Sequence, residues 1–471
     1  MSTLSELLGG GGGGQVLEFT ASGSLTDGEL VGLGSDGTVS SFVSAAQSAG
    51  TGVAYNATDA RYSQVAFDPV NERIVISYED DDFSGYGAAI VSATIPGTSI
   101  SSYGTKVIYY SGVVEKQSIS YDSANAKMVI FYKDLTSGGA PGKAIVGTVS
   151  GSSITFGTSV TFDASNPEIP NSLYVPSLGK IILAYSLGAV GYAIVGTVSG
   201  TSISFGSRVD SGLSHNNYNY GLAYDPGLGK LVMASREDST GYTEVVVGTV
   251  SGTSISFGSV TVINSVSGGQ HTYVVYHEAE NCFVSSFNNS GSTGVKAFTI
   301  SGTAVDTLGA YQATSVARAF VYTPEAESIS LFRNSGITAY VYTITVSDLV
   351  CSVSSTFTFT LLRTPTDEIS TSVMPTGRVA LGYNDTTSYG AGQIYQAAYD
   401  TYSSFIGISD AAYADGVTAT VQVVGAVDDA QSGLTAGNKY YVSSSGGLTQ
   451  SATSGIYVGA AISSTEILIK G

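Results

Sequence analysis

Short runs rich in Val, Ile, Tyr and Phe alternate along most of this chain with clusters of Gly, Ser, Asp and Pro. Such runs predict strands and the clusters between them predict turns; no stretch carries apolar residues at helical spacing. Residues 220–263 show the pattern most clearly. A strand over 220–225 meets the turn Pro226-Gly-Leu-Gly229, and a second over 230–236 meets a polar loop. A third over 243–250 meets the turn Ser251-Gly-Thr-Ser254 before a fourth over 255–263. Four strands joined by hairpins make one antiparallel sheet.

That sheet is written repeatedly. Gly147-Thr-Val-Ser-Gly-Ser-Ser-Ile-Thr-Phe-Gly157, Gly196-Thr-Val-Ser-Gly-Thr-Ser-Ile-Ser-Phe-Gly206 and Gly248-Thr-Val-Ser-Gly-Thr-Ser-Ile-Ser-Phe-Gly258 share nearly all their letters. They recur at a period of roughly 50 residues, the signature of a repeat architecture. A second phrase precedes each copy and persists where the first has decayed: Val65-Ala-Phe-Asp-Pro69, Ile119-Ser-Tyr-Asp122, Leu173-Tyr-Val-Pro176, Leu222-Ala-Tyr-Asp-Pro226, Val274-Val-Tyr-His277, Phe320-Val-Tyr-Thr-Pro324 and Ser372-Val-Met-Pro375. Four-stranded sheets repeated radially are the blades of a β-propeller, and closing the ring protects edges that an open array would expose. The expectation is therefore an all-β chain with a seven-bladed β-propeller over 51–404. The seventh repeat lacks a fourth strand, and 51–56 is left over ahead of the first. That segment is expected to pair with 393–401 and latch the ring.

The two ends differ from the middle. Residues 1–14 finish in six consecutive glycines and predict a flexible tether. Residues 15–50 and 405–471 carry short alternating strands, yet each segment is small for an independent core. They are expected to form one small discontinuous β domain, sharing Val16, Phe19 and Leu30 in its core, with the propeller inserted between its halves.

Composition narrows the function. Only 12% of the 471 residues are charged, 18 basic against 37 acidic, for a net charge of −19. Nucleic-acid binding, which needs clustered Lys and Arg, is disfavoured, and so are anionic membrane surfaces. An acidic surface of this kind keeps a Gly- and Ser-rich β protein soluble. Cys282 and Cys351 fall in different repeats, so no disulfide framework is expected. Neither an apolar run of ~18 residues nor a signal-peptide pattern appears, so membrane insertion and classical export are not expected.

The segment Leu25-Thr-Asp-Gly-Glu-Leu-Val-Gly-Leu-Gly-Ser-Asp-Gly-Thr-Val-Ser40 resembles the opening of virion structural proteins of tailed bacteriophages, especially tail-fibre-like and head-fibre-like ones. Ser432-Gly-Leu-Thr-Ala-Gly-Asn-Lys-Tyr-Tyr-Val-Ser443, followed by Val458-Gly-Ala-Ala-Ile-Ser463 and Ile467-Leu-Ile-Lys-Gly471, is similar to their closing module. The resemblance lies in β-rich wording rather than in a catalytic signature and carries no site residues over. It implies a virion component, displayed on the particle, homo-oligomeric, and partnered by other virion proteins.

Candidate chemistry concentrates in the loops after the second strand of each repeat, where Asp and Asn recur. Asp80, Asp82, Asp134, Asp238, Asn289, Asn334 and Asp385 could form a ring of polar groups for the hydroxyls of a host-surface glycan. In the same reading Asn216 adds a polar group, and Tyr218 and Tyr220 supply flat ring faces. Asp and Asn also close such loops by bonding their own backbone, and that competing role is expected at most of these positions. Asp80-x-Asp82-x-Ser84-Gly85 has the early spacing of a calcium loop, but Val91 stands where the closing acid belongs, so no metal is expected. The sequence holds no Trp, no sialidase aspartate box and no Gly-x-Ser-x-Gly elbow. His215, His271 and His277 lack metal spacing, and His277 takes the usual Asp position of its repeat. The expected function is thus a non-enzymatic phage fibre or appendage subunit without a cofactor, whose propeller meets host glycan. A purely architectural capsid or tail decoration protein and a glycan-degrading propeller enzyme are the rivals.

Overall fold

The computed structural model describes residues 15–33, 37–41, 44–56, 60–81, 85–214, 220–267, 272–289, 292–365, 369–385, 389–400, 405–442, 447–450 and 457–470. Two compact units emerge: 47–397, and 1–46 together with 398–471. No described helix is long and apolar enough to cross a membrane.

Within 47–397 the chain is antiparallel sheet, built in repeats arranged as propeller blades. Glu168–Val175, Lys180–Leu187, Val190–Ser199 and Ser202–Phe205 pair in that order, and Val209–Ser214 adds a second outer segment along Val190–Ser199. The next repeat follows the same order, from Gly221–Asp225 outward through Lys230–Arg236, Thr243–Ser251 and Ser254–Phe257. One described strand serves two sheets. Val107–Asp122 runs unbroken, so its first half is the outer strand beside Tyr86–Val91 and its second half the inner strand beside Lys127–Asp134.

Stacking explains the unbroken apolar runs in the second strands. Lys127–Asp134 and Lys180–Leu187 are buried on both faces, so both sets of alternating side chains must be apolar. Val129, Phe131 and Val146 pack with Ile181, Leu183 and Ile194 of the next sheet. On the other side, Ile182, Ala184 and Val195 pack with Leu231, Met233 and Val246. The series closes on itself: Met374, Ala380 and Ile394 pack with Val65, Ile74 and Ile76. The inner edges also meet, since the N–H groups of Val65 and Phe67 donate to Ser370 Oγ and Ser372 Oγ at 3.0 Å each.

The expected closing strand is present. Val53–Asn56 pairs with 390–392, and Ser48–Ala49 pairs with 395–396. The pairing lies nearer 390 than the sequence suggested because the partner strand ends at Gln396, where the Ala397 N–H turns to Gly377 O.

Contacts between sheets also explain the glycines of the repeated motif. In Gly196–Gly206 the first glycine leaves room for Ile203 and Phe205, and Gly200 takes the left-handed backbone of the turn at φ 59°. A Cβ on the last, Gly206, would lie 1.9 Å from Thr253 O in the turn of the next sheet. Gly50, Gly104, Gly157 and Gly258 meet Thr98, Ser152, Thr201 and Thr303 in the same way. Gly206→Ala is expected to cost about 1–3 kcal/mol by forcing two sheets apart. Gly138→Ala, which meets nothing within 4 Å, should stay close to wild type in the same denaturant titration.

The other unit interleaves strands from both ends of the chain. Its first sheet runs Val16–Thr20, Thr418–Gln422, Phe405–Ser409, Leu30–Leu33, Val39–Ser41. Ala21, Leu25, Val31 and Val39 share a core with Ala419, Val421 and Val423, while Leu30 packs with Ile408, Tyr440 and Ile467. Val16 departs from its expected place. It is 54% exposed, because the strand's period of two turns Leu17 and Phe19 inward and leaves Val16, Glu18 and Thr20 outside.

Candidate functional site

Among the described residues, several sequence-selected positions at the loop end of the sheets are engaged by nearby groups of the protein rather than presented to solvent. Asp80 is buried, with Lys106 Nζ 2.6 Å from its Oδ2. Asp134 is buried, 2.7 Å from Lys143 Nζ, and accepts the N–H groups of Thr136 and Ser137. Burial alone would raise its pKa, but hydrogen bonds from Lys143, Ser137 and Tyr110 outweigh that and hold the carboxyl well below the usual range. Asp385 Oδ1 accepts the Tyr389 N–H, and Asn334 Nδ2 donates to Gly336 O. Glu237 closes its loop by accepting from Ser239 and Thr240, which leaves Asp238 more open, 3.9 Å from Arg236. Tyr220 is fully buried in the core of the sheets around it and offers no ring face to solvent. Asn289 ends the strand Cys282–Asn289 opposite Ser292. Asp82, Asn216 and Tyr218 lie outside the described residues, as do Ser84, His215 and His271.

The residues that do converge at this end are their neighbours, for a geometric reason. Alternate side chains of a strand face opposite ways, so Glu79 and Asp81 point away from Asp80, and Lys133 away from Asp134. Arg61 stands opposite Glu79, and Glu115 opposite Lys133 in the next sheet. Arg61 Nη2 lies 2.7 Å from Asp81, while Lys133 Nζ bonds Glu168 of the third sheet and lies 3.9 Å from Glu115. Tyr62 Oη donates to Glu115 Oε1 at 3.4 Å, and Lys116 Nζ sits 5.2 Å over the Tyr62 ring. Burial first, and then Asp81, push the Glu79 carboxyl up to about 8, so it keeps its proton at neutral pH. Three cations then face three carboxylates. This network is an ionic seam between sheets, with its charges balanced internally.

At the opposite end the inner strands finish in tight turns. Buried Asp68 and Asp225 accept two turn N–H groups each, from Val70 and Asn71 and from Gly227 and Leu228. His277 does the same work in its repeat: Nδ1 accepts the Glu280 N–H at 3.3 Å and Nε2 faces Glu327 O at 3.1 Å. In six of the seven phrases an aromatic ring stands one residue before the strand's last residue, at Phe67, Tyr121, Tyr174, Tyr224, Tyr276 and Tyr322. Tyr174 Oη accepts the Ala124 N–H of the preceding sheet at 3.1 Å. Tyr121 is pushed up to about 12, by burial first and then by Asp68.

Three of these rings border a cavity of about 600 Å³. Phe67, Tyr121 and Tyr174 line it with Val65, Ile119, Leu173, Met374 and three prolines, and Ser120, Ser172, Thr371 and Ser372 add hydroxyls. Glu325 is the only carboxylate among the described lining residues, which include no Lys, Arg or His.

No family model matches this sequence, and no curated protein matches it. Solved structures do. The β-propeller domain of Cps50 (Swd1) from Myceliophteria thermophila aligns at TM-score 0.47 and 9% identity, covering 75% of this chain and all (100%) of that one. A K499G mutant of the NanB sialidase from Streptococcus pneumoniae aligns at TM-score 0.41 and 9% identity, covering 74% of this chain and 70% of that one. TolB from Acinetobacter baumannii aligns at TM-score 0.35 and 13% identity; 60% of this chain is covered, and 66% of TolB, just under two thirds of its length.

The cavity residues were visible in the sequence only as markers of the repeat. The usable signal was the aromatic ring recurring before the turn in six of the seven phrases, a position that architecture alone would let any apolar residue fill.

Proposed function

We propose that this chain is a structural component of a bacteriophage virion, a fibre or appendage subunit that anchors through one unit and recognises through the other. In this reading 47–397 is a seven-bladed propeller closed by the strand from its N-terminal side, inserted in a small discontinuous β domain. The observation that carries the proposal is the placement of both chain ends, 1–46 and 398–471, in one compact unit, with 47–397 as the insert. A chain so arranged can be fixed to a particle at one unit while its propeller stays free for a ligand. The likeness of 25–40, 432–443, 458–463 and 467–471 to phage virion proteins supports the same assignment. Other virion proteins and further copies of this chain are the partners, host-surface glycan is the ligand class, and the virion is the location.

Antiserum raised against the recombinant chain should label purified phage particles from the source of this sequence in immunogold electron microscopy. Peptides of the chain should also appear in digests of those particles. Unlabelled particles whose digests lack the chain would overturn the assignment.

A further inference from the structure

The cavity at the turn end is concave, and its volume of about 600 Å³ falls among sites for small ligands, roughly 300–1,000 Å³. Its lining has a definite chemistry. Half-buried Tyr121 and Tyr174 give apolar ring surface, the kind that takes the C–H face of a ring, with Phe67 buried in the wall beside them. Ser120 Oγ and Ser172 Oγ lie 2.7 Å apart, and a hydroxyl can both donate and accept. Glu325 is exposed; its Oε1 accepts the Thr376 N–H at 3.1 Å, and its other oxygen has no protein partner among the described residues.

We propose that this cavity binds a neutral sugar ring, one face against Tyr174 and its hydroxyls shared among Ser120, Ser172 and Glu325. A neutral polyol suits the lining because each of its hydroxyls can donate to the carboxylate and also accept. An acidic sugar would bring its charge beside Glu325 with no described cation in the lining to meet it. A wholly apolar ligand would strip water from Glu325 and the serines and return no hydrogen bond. The inference rests on the reading of 47–397 as the recognising part of a displayed protein, and it moves the binding site from the loop end to the turn end.

The full chain is applied to a glycan array carrying neutral hexose and N-acetylhexosamine oligosaccharides beside sialylated and uronic-acid ones, and the best neutral probe is titrated by calorimetry. Retention is expected on neutral probes over acidic ones. Glu325→Ala and Tyr174→Ala should each weaken binding about tenfold or more, while Tyr174→Phe, which keeps the ring, should stay within about threefold. Glu325 is exposed, so its variant tests the idea even if Tyr174→Ala misfolds. Lys116→Ala, in the ionic seam, should bind as wild type does. Silence on every neutral probe, preference for acidic ones, or loss with Lys116→Ala but not with Glu325→Ala would overturn the inference. Sugar binding here by a chain missing from particles would sink the virion assignment alone, and labelled particles with no sugar binding would sink this inference alone.

Discussion

Asp134→Ala should lower unfolding free energy at pH 7 by about 3–5 kcal/mol, the scale of breaking a buried ion pair by removing one partner. Asp134 is fully buried and Lys143, 2.7 Å away, is only 18% exposed, so the variant strands an ammonium with little water to replace its partner. The same change removes the acceptor for the Thr136 and Ser137 N–H groups, which otherwise close the loop. Asp134→Asn, which keeps an acceptor oxygen but loses the charge, should fall between. The pH dependence has a definite sign. A carboxyl held below its ordinary value contributes fully above about 3.9, the unfolded value, and loses that contribution as pH falls through the folded value. The gap between wild type and Asp134→Ala in denaturant titrations should therefore be widest near neutrality and close in strong acid. A gap that stays constant down to the acid end would show that the ion pair is not its source.

Glu79→Gln should change the stability profile on the alkaline side instead. The Glu79 carboxyl is raised from 4.5 to about 8, so across that window the folded chain holds a proton that the unfolded chain has released. Unfolding then becomes easier as pH rises from 4.5 to about 8, and the loss levels off above. Glutamine has no proton to release and occupies nearly the same volume beside Asp81. The variant should gain on wild type progressively across the window, by up to roughly 5 kcal/mol at its upper end, since each pKa unit between 4.5 and about 8 is worth about 1.4 kcal/mol. Effects of titrating groups that are not coupled to Glu79 cancel in the difference between the two proteins. Parallel profiles for wild type and Glu79→Gln would refute the protonated carboxyl.

Much of the architecture was legible because hairpin sheets are encoded locally. Apolar runs, Asp-Pro turns and the Ser-Gly-Thr-Ser hairpin specify strands within a few residues of themselves, and counting strands was enough to find that 51–56 belongs beside the last repeat. The candidate site was less legible. Asp80 and Asp134 stood out because acids recur there, yet one step along a strand reverses the side chain, so Glu79, Asp81 and Lys133 reach the neighbouring sheet instead. Cys282 and Cys351 show the same limit: they fall in different repeats but share one core, where burial pushes their thiols up to about 12 and about 11.

By itself, then, the sequence determined the repeat, the strand order within it, the turns and the segment that completes the last sheet, all of which follow from periodicity and turn chemistry over short separations. Tertiary structure decided what lies between sheets. It set why Gly206 must be glycine, since Thr253 O occupies the space of its Cβ. It set that Val16 faces solvent while Leu17 and Phe19 do not. It also gathered Phe67, Tyr121, Tyr174, Glu325 and Ser372 around one cavity. Their distance along the chain leaves no local pattern for such a site. Only the packing of each sheet on the next, and of the last on the first, brings those side chains around one cavity.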